Sequence, residues 1–370
     1  MTSPDFDSLR PPEQPKKKKR RRDLSGASGG SAPVRRGRDD GSREMSMVDD
    51  AQFSSYYGRP IVRSAPWKDE ISAYLFFGGV AGGCGVLSYG AQFFGNDELR
   101  RNTRLVSLGA VGVGTVCLIA DLGRPERFLN MMRTVKPTSP MSWGTWILSV
   151  FGTTAGIASA AEVDRLLGEK APLGPLRPVL HAVSSSAGFG MGVLGAPLAA
   201  YTAALLSMTS TPTWTAARKG LPFLFVSSAS LASGGIAMAL TSRENAGPAR
   251  RLALAGVAGD LAAMEYTKRT MHPLEREPME TGEPGRKLKL AETLVIAGGV
   301  GTLLFAKRSR ILAVASGVAL AAGSALTRFG FVEAGHASTK DPKYVVEPQK
   351  DRLEARRAKG ITDDSITTAG

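Results

Sequence analysis

Residues 121–148 read DLGRPERFLNMMRTVKPTSPMSWGTWIL, and the stretch lies between two apolar runs, each long enough to cross a bilayer. It carries four bases (Arg124, Arg127, Arg133, Lys136) and two acids (Asp121, Glu126). Pro125 suits the first turn of a short helix, where its missing N–H costs nothing. From there Phe128, Leu129, Met131 and Met132 form an apolar face, with Arg127, Asn130 and Arg133 largely off it. That pattern describes a helix lying at the membrane surface. Pro137 and Pro140 end it, and Trp143 and Trp146 mark the next crossing at headgroup level.

Outward from this stretch, the apolar runs predict an all-α polytopic membrane protein, a bundle of eight transmembrane helices. The crossings fall at about Ile71–Phe94, Thr103–Ala120, Ser142–Ala161, Val179–Met208, Lys219–Leu240, Arg250–Thr267, Leu288–Phe305 and Ile311–Thr327. The first is roughly 36 Å long at about 1.5 Å per residue, enough to span with some tilt. Glu70, Tyr74, Gly78 and Gly82 recur every four residues and share one face of it; Gly79 and Gly83 lie beside that stripe. Glycines at this spacing let a second backbone approach. The fourth crossing has small residues at Gly188, Gly192 and Ala196, and Pro197 is expected to kink it unless neighbours satisfy the freed carbonyl. Residues 268–287 read as a charged loop rich in Pro and Gly. No internal sequence repeat is convincing. Domain organisation follows: a disordered basic tail over 1–55, the helical domain over 56–336, and a polar, mobile C-terminal tail over 337–370.

Composition agrees. The chain has 370 residues, 43% hydrophobic, 43 glycines and a net charge of +14. A mean hydropathy of −0.06 averages polar ends with a very apolar middle. Lys16–Arg22 is a run of seven bases, suited to anionic lipid at a cytoplasmic face; the apolar runs argue against a nucleic-acid partner. Residues 1–20 hold no apolar core of a signal peptide. Cys84 and Cys117, without CxxC spacing, cannot ligate an iron–sulfur cluster, which wants four thiolates, and read as buried free thiols. His181, His272 and His336 offer no pair for a haem in the bilayer, so no metal site is expected. Short loops on the two sides carry similar numbers of Lys and Arg, and the positive-inside rule does not decide from them. The basic run with Arg59, Arg63 and Lys68 tips both termini toward the cytoplasmic side of the cell membrane.

Intramembrane ionisable groups are expensive and usually functional. Glu70, Tyr74, Asp121, Arg124 and Tyr201 gather at one end of the first, second and fourth crossings. Asp121 with Arg124 reads as an ion pair fixing the loop. Asp260 and Glu265 are five apart on the sixth crossing, about 140° round the helix, and read as a proton path or as groups capped by neighbours.

The text DLGRPERF followed by SPMSWG-x-W closely resembles the signature of the NrfD/polysulfide-reductase family of integral membrane subunits. The collar is similar too: Tyr57-Gly58-Arg59-Pro60, then Trp67, Glu70, Ile71 and Tyr74. So are Tyr201-Thr202-Ala203-Ala204-Leu205-Leu206, where Ala203 replaces the usual glycine, Pro212 with Trp214, and the ending RFGFVEAGHAS. The resemblance covers residues 56–350. It implies a membrane anchor and menaquinol-binding subunit of a respiratory molybdopterin/iron–sulfur oxidoreductase. Such a chain would pass electrons between the quinone pool and a ferredoxin-like [4Fe–4S] subunit, with a molybdopterin catalytic subunit beyond, and hold no cofactor of its own except quinone. Whether the chain is itself quinone-reactive or non-catalytic stays open, as do two alternatives, a purely structural anchor and a proton-translocating subunit. Carried over by motif, Tyr74 and Tyr201 contact the quinone headgroup. From their own chemistry, Glu70 or Asp121 is expected to take quinol protons, Arg124 is counted with them among the quinone-binding residues, and the basic loop Arg124–Lys136 is expected to dock the partner. A quinone needs an apolar slot, hydrogen-bond donors at its carbonyls and a proton acceptor, and these residue types supply them.

Overall fold

The computed structural model describes residues 60–133 and 135–361. The tail over 1–55, with its run of bases, and the collar residues Tyr56–Arg59 lie outside the described residues. Twelve α-helices and a 3-10 turn make up the described chain: α1 (Asp69–Phe93), α2 (Asp97–Asp121), α3 (Arg127–Arg133), α4 (Pro140–Leu166), α5 (Leu176–Ser207), α6 (Pro212–Ala216), α7 (Leu221–Leu240), α8 (Gly247–Thr270), α9 (Pro273–Glu280), α10 (Gly282–Leu304), α11 (Arg310–Lys340) and α12 (Lys343–Ala358). No strand occurs among the described residues. Six helices, α1, α2, α4, α5, α7 and α11, are long and apolar enough to cross a bilayer, so the protein is a multi-pass membrane protein. The sixth and seventh expected crossings exist as long helices, α8 and α10. Their charges (Arg250, Arg251, Asp260, Glu265 and Lys268 on α8; Arg286, Lys287, Lys289 and Glu292 on α10) keep them out of that set.

Glycine sets the packing. A Cβ on Gly82 would strike the Gly195 carbonyl, and one on Gly195 would strike the Gly82 carbonyl, so α1 and α5 cross backbone to backbone. About 100° round α1, Gly79 faces Ala229 and Gly83 faces Ser233. Both pairs are offset by the same amount in sequence, so α1 and α7 run parallel. The two glycine rows of α1 therefore serve two different neighbours. Gly78 meets open space and contributes nothing steric to the stripe. In α5 the tight face is Gly188, Gly192 and Gly195; Ala196 points outward. The helix runs through Pro197 without a break.

The pairing order reveals a repeat that the sequence hides. In the first half α1 packs on α2 and α5, and α4 packs on α5 and α2; in the second, α7 packs on α8 and α11, and α10 packs on α11 and α8. The reciprocal glycine contact recurs as well, Gly235 of α7 against the Gly317 carbonyl of α11 and the reverse. Two four-helix bundles thus meet along α1, α7, α5 and α11.

Several boundaries differ from expectation. Residues 268–287, read as a loop, are mostly helical: the end of α8, α9 and the start of α10. Pro273 sits in the first turn of α9, the position its ring favours. The polar stretch after residue 340, read as mobile, contains α12, which packs on α9. There Lys343 Nζ donates to Glu277 at 2.9 and 3.2 Å and Arg352 pairs with Glu275 at 2.5 Å. The last crossing does not stop at Thr327: α11 continues for three more turns and carries Arg328 into the interior, 1% exposed. Cys84 is buried, whereas Cys117 is half-buried.

At the opposite end from the signature loop, α1, α2, α4 and α5 enclose charges that no motif announces. Arg100 Nε and Arg104 Nη1 each donate to Glu162 Oε1 at 2.8 Å, and Arg104 also reaches Gln92 and Ser184. Beside them Asp164 accepts from Arg177 at 3.0 Å and contacts His181 Nε2 at 2.9 Å. Arg104 and Glu162 are almost wholly buried; removing one partner would strand the other's charge, the costly case for a buried pair.

Candidate functional site

The signature loop follows its sequence pattern in part. Gly123 takes a positive φ of 65°, which glycine tolerates, and turns the chain from α2 into α3. Pro140 opens α4 rather than simply ending the loop. Trp143 Nε1 donates to the Pro137 carbonyl at 2.7 Å, and the Lys136 N–H donates to Ser142 Oγ at 3.0 Å. Phe128 and Met131 of α3 turn inward, and Met132 Sδ accepts from Ser149 at 3.1 Å. Leu129, expected on the same apolar face, is 61% exposed.

Between α1, α2, α4 and α5 these residues wall a crevice of about 630 Å³ of empty space, its mouth included. Tyr74, Asp121 and Tyr201 all line it. Its other walls are largely apolar, among them Ile71, Leu118, Met141, Leu148 and Leu205. Tyr74 is buried and Tyr201 half-buried; neither hydroxyl has a hydrogen-bond partner among the described residues. Tyr201 owes its place to Gly144, where any Cβ would collide with the edge of the phenol ring. Asp121 Oδ1 accepts the backbone N–H of Lys68 at 3.4 Å. Glu70 stands close enough to Asp121 to repel it electrostatically but does not line the crevice. Arg124 is exposed, lies off the crevice and makes no ion pair with Asp121 among the described residues. The expected Asp121–Arg124 lock is therefore replaced by the Lys68 amide, because the turn at Gly123 carries Arg124 outward.

Trp67 forms part of the crevice wall, a role its reading as a collar aromatic did not foresee. Its ring stacks on Trp214 at 5.4 Å, and Trp214 meets His336 edge-on at 5.4 Å. Trp214 Nε1 donates to the Phe331 carbonyl at 2.9 Å, and His336 Nδ1 lies 2.9 Å from Ser64 Oγ. A Cβ on Gly335 would collide with the Trp214 ring. The segment before α1 is thus pinned to the end of α11. Pro212-x-Trp214 and the terminal G-H dipeptide were the available signals, but nothing in the sequence says that they meet.

Asp260 and Glu265, assigned to different faces of α8, both line a second cavity with Lys268, Glu292 and Thr327. The cavity is broad enough to collect both. Glu265 is paired with Arg269 on the outer surface at 2.6 Å, whereas Asp260 is 4% exposed. No cluster of His, Cys, Asp or Glu suited to a metal ion occurs among the described residues.

A family model described as polysulphide reductase, NrfD, matches residues 61–262. A candidate membrane subunit of a dimethyl sulfoxide reductase from Halobacterium salinarum is 30% identical over 89 residues, 23% of this chain. The match spans 20% of that relative's length.

Proposed function

The chain belongs to the NrfD polysulphide reductase family, and from that premise we propose that it is the quinol-binding membrane subunit of a respiratory oxidoreductase, crossing the bilayer eight times. α8 and α10, of 24 and 23 residues, are long enough to span at about 1.5 Å per residue, and their charges turn toward the cavity between them or toward the helix ends. The crevice between α1, α2, α4 and α5 is the observation that carries the reading: two unbonded phenols and a carboxylate face one apolar slot.

The residues present fit a quinol. Such a ligand, when bound, supplies two electrons and two protons. The phenols of Tyr74 and Tyr201 bind its oxygens by donating or accepting hydrogen bonds. Ile71, Leu118, Leu148 and Leu205 exclude water and receive the ring and the start of the tail. Asp121, at the mouth, accepts a proton and exchanges it with solvent, with Glu70 beside it as the next acceptor. Arg124 lies outside the crevice and belongs to the docking surface that extends to Lys136. The reading includes menaquinol as the ligand, with a ferredoxin-like [4Fe–4S] protein and a molybdopterin catalytic subunit as the partners. The similarity to a candidate dimethyl sulfoxide reductase membrane subunit supports an assembly of that general kind. Both termini then lie on the side of the crevice mouth, which the basic tail favours as cytoplasmic.

Titrating the protein in lipid nanodiscs with a fluorescent quinol analogue tests this. Saturable quenching, weakened by Tyr74→Phe and Tyr201→Phe, is expected. Absence of quenching, with both variants indistinguishable from the parent, would leave a structural anchor whose slot holds lipid.

A further inference from the structure

The second bundle carries a cavity at the place corresponding to the tyrosine crevice. The crevice lies between α1, α2, α4 and α5; the second cavity is lined from α8, α10 and α11, the partners of α2, α4 and α5 in the repeated pairing. Its contents differ. Instead of an apolar slot there are Glu265, Lys268 and Glu292 around the rim, with Lys268 Nζ 4.0 Å from Glu292, and Asp260 at the inner wall. About 610 Å³ of empty space, mouth included, leaves room for several waters at about 30 Å³ each.

Behind Asp260 lies Arg328. Its guanidinium sits 3.6 Å over the Phe225 ring, and Nη2 donates to the Phe225 carbonyl at 2.7 Å. Nε and Nη1 of Arg328 and Oδ1 of Asp260 are buried without a hydrogen-bond partner among the described residues. Asp260 faces the Ser228 hydroxyl, which bonds Ser324 at 2.8 Å. A cation and a carboxylate this deep, each with unmet hydrogen-bonding capacity, need water between them. Apolar packing does not explain them, since hydrophobic residues of similar volume are commonly as stable or more so.

We propose that the second bundle holds a proton-binding site, with Asp260 as acceptor, Arg328 as its fixed counter-charge, and water in the α8–α10 cavity connecting it to the leaflet where the tyrosine crevice opens. The step is proton transfer alone: a hydronium in the cavity gives its proton to the Asp260 carboxylate, and no bond but O–H forms or breaks. The charged and titratable groups facing it are Arg328 from α11, Glu292 from α10, and Glu265 and Lys268 from α8 itself; α7 contributes only the Ser228 hydroxyl. Glycine opens the space for this arrangement: Gly79 of α1 lies beside the guanidinium, where a Cβ would stand 3.6 Å from Nη2. The joint between the bundles thus touches the site, while no residue that lines this cavity lines the tyrosine crevice.

Infrared difference spectroscopy of the full chain in nanodiscs, stepped in pH, reads the site without any ligand. A carboxylic C=O band is expected to grow as pH falls and to shift in D2O. It should vanish in Asp260→Asn, persist in Glu265→Gln and Glu292→Gln, and move in frequency in Ser228→Ala, a change small enough to leave the fold intact. A parent spectrum without a titrating band, a band unmoved by D2O, or one unchanged in Asp260→Asn or Ser228→Ala would overturn the proposal.

Discussion

At the end that carries the signature loop, α1, α2, α4 and α5 of the first bundle enclose apolar walls and two phenols; at the corresponding end of the second, α7, α8, α10 and α11 follow the same pairing order around carboxylates and a buried arginine. The backbone contacts are alike, down to the reciprocal glycines Gly82/Gly195 and Gly235/Gly317. What differs is the side chains that the shared frame aims inward. Small residues define the scaffold, since they alone permit helices to touch through backbone, while chemistry varies at positions that the scaffold leaves open.

The joint between the bundles offers the largest effect. Trp214 is fully buried and touches Trp67 before α1 and His336 on α11. Trp214→Ala should cost about 3–5 kcal/mol, typical of truncating a buried aromatic, read as a lower thermal midpoint in detergent; a change within error would mean that the bundles are held elsewhere. Next come the glycine crossings. Gly82→Val and Gly235→Val should each destabilise by about 1–3 kcal/mol or more, as overpacking does, whereas Gly78→Ala should be nearly silent. Unequal effects at Gly82 and Gly235 would break the equivalence of the two halves.

Much of this scaffold was legible in the sequence. The eight runs read as crossings correspond to eight long helices, six of them apolar enough to span, and the glycine rows of α1 announced its close neighbours, though not that the rows serve different ones. The order of the apolar runs put Tyr74, Tyr201 and Asp121 at one end of their helices, and the fold brings all three to one crevice. Arg124 escaped the reading because a single positive-φ glycine reverses the chain direction next to it. The Arg100–Arg104–Glu162 cluster and Arg328 went unread for another reason: each lies at or just past a boundary drawn by hydropathy, where a charge reads as the end of a span. In the folded chain neighbouring helices solvate these charges, so the helices continue. Trp67, Trp214 and His336 are 147 and 122 residues apart in sequence, and no local pattern reports such a contact.

Smaller effects sharpen the contrast in chemistry. Tyr74→Phe and Tyr201→Phe should each weaken quinol-analogue binding by about 0.5–1.5 kcal/mol, the net value of one hydrogen bond, or roughly 2- to 12-fold. Asp260→Asn should leave that affinity unchanged; a loss there would mean that the two cavities are not separate sites. Gly144→Ala should mimic Tyr201→Phe by displacing the ring. The smallest effect lies at the surface. Hydrogen bonds to Glu277 hold the Lys343 ammonium above the ordinary lysine value. The α9–α12 contact should therefore be fully present below the usual lysine range and weaken as pH rises through the raised value, read as faster proteolysis of α12 in strongly alkaline buffer but not at neutral pH.

Photo-crosslinking with a quinone that carries the reactive group on its ring, with the modified peptides read by mass spectrometry, locates the headgroup itself. Label is expected on the crevice wall, at Trp67, Tyr74, Met141 or Tyr201, competed away by unlabelled quinone. Label confined to α8, α10 or α11, or spread over the lipid-facing surface without competition, would contradict quinol binding in the crevice.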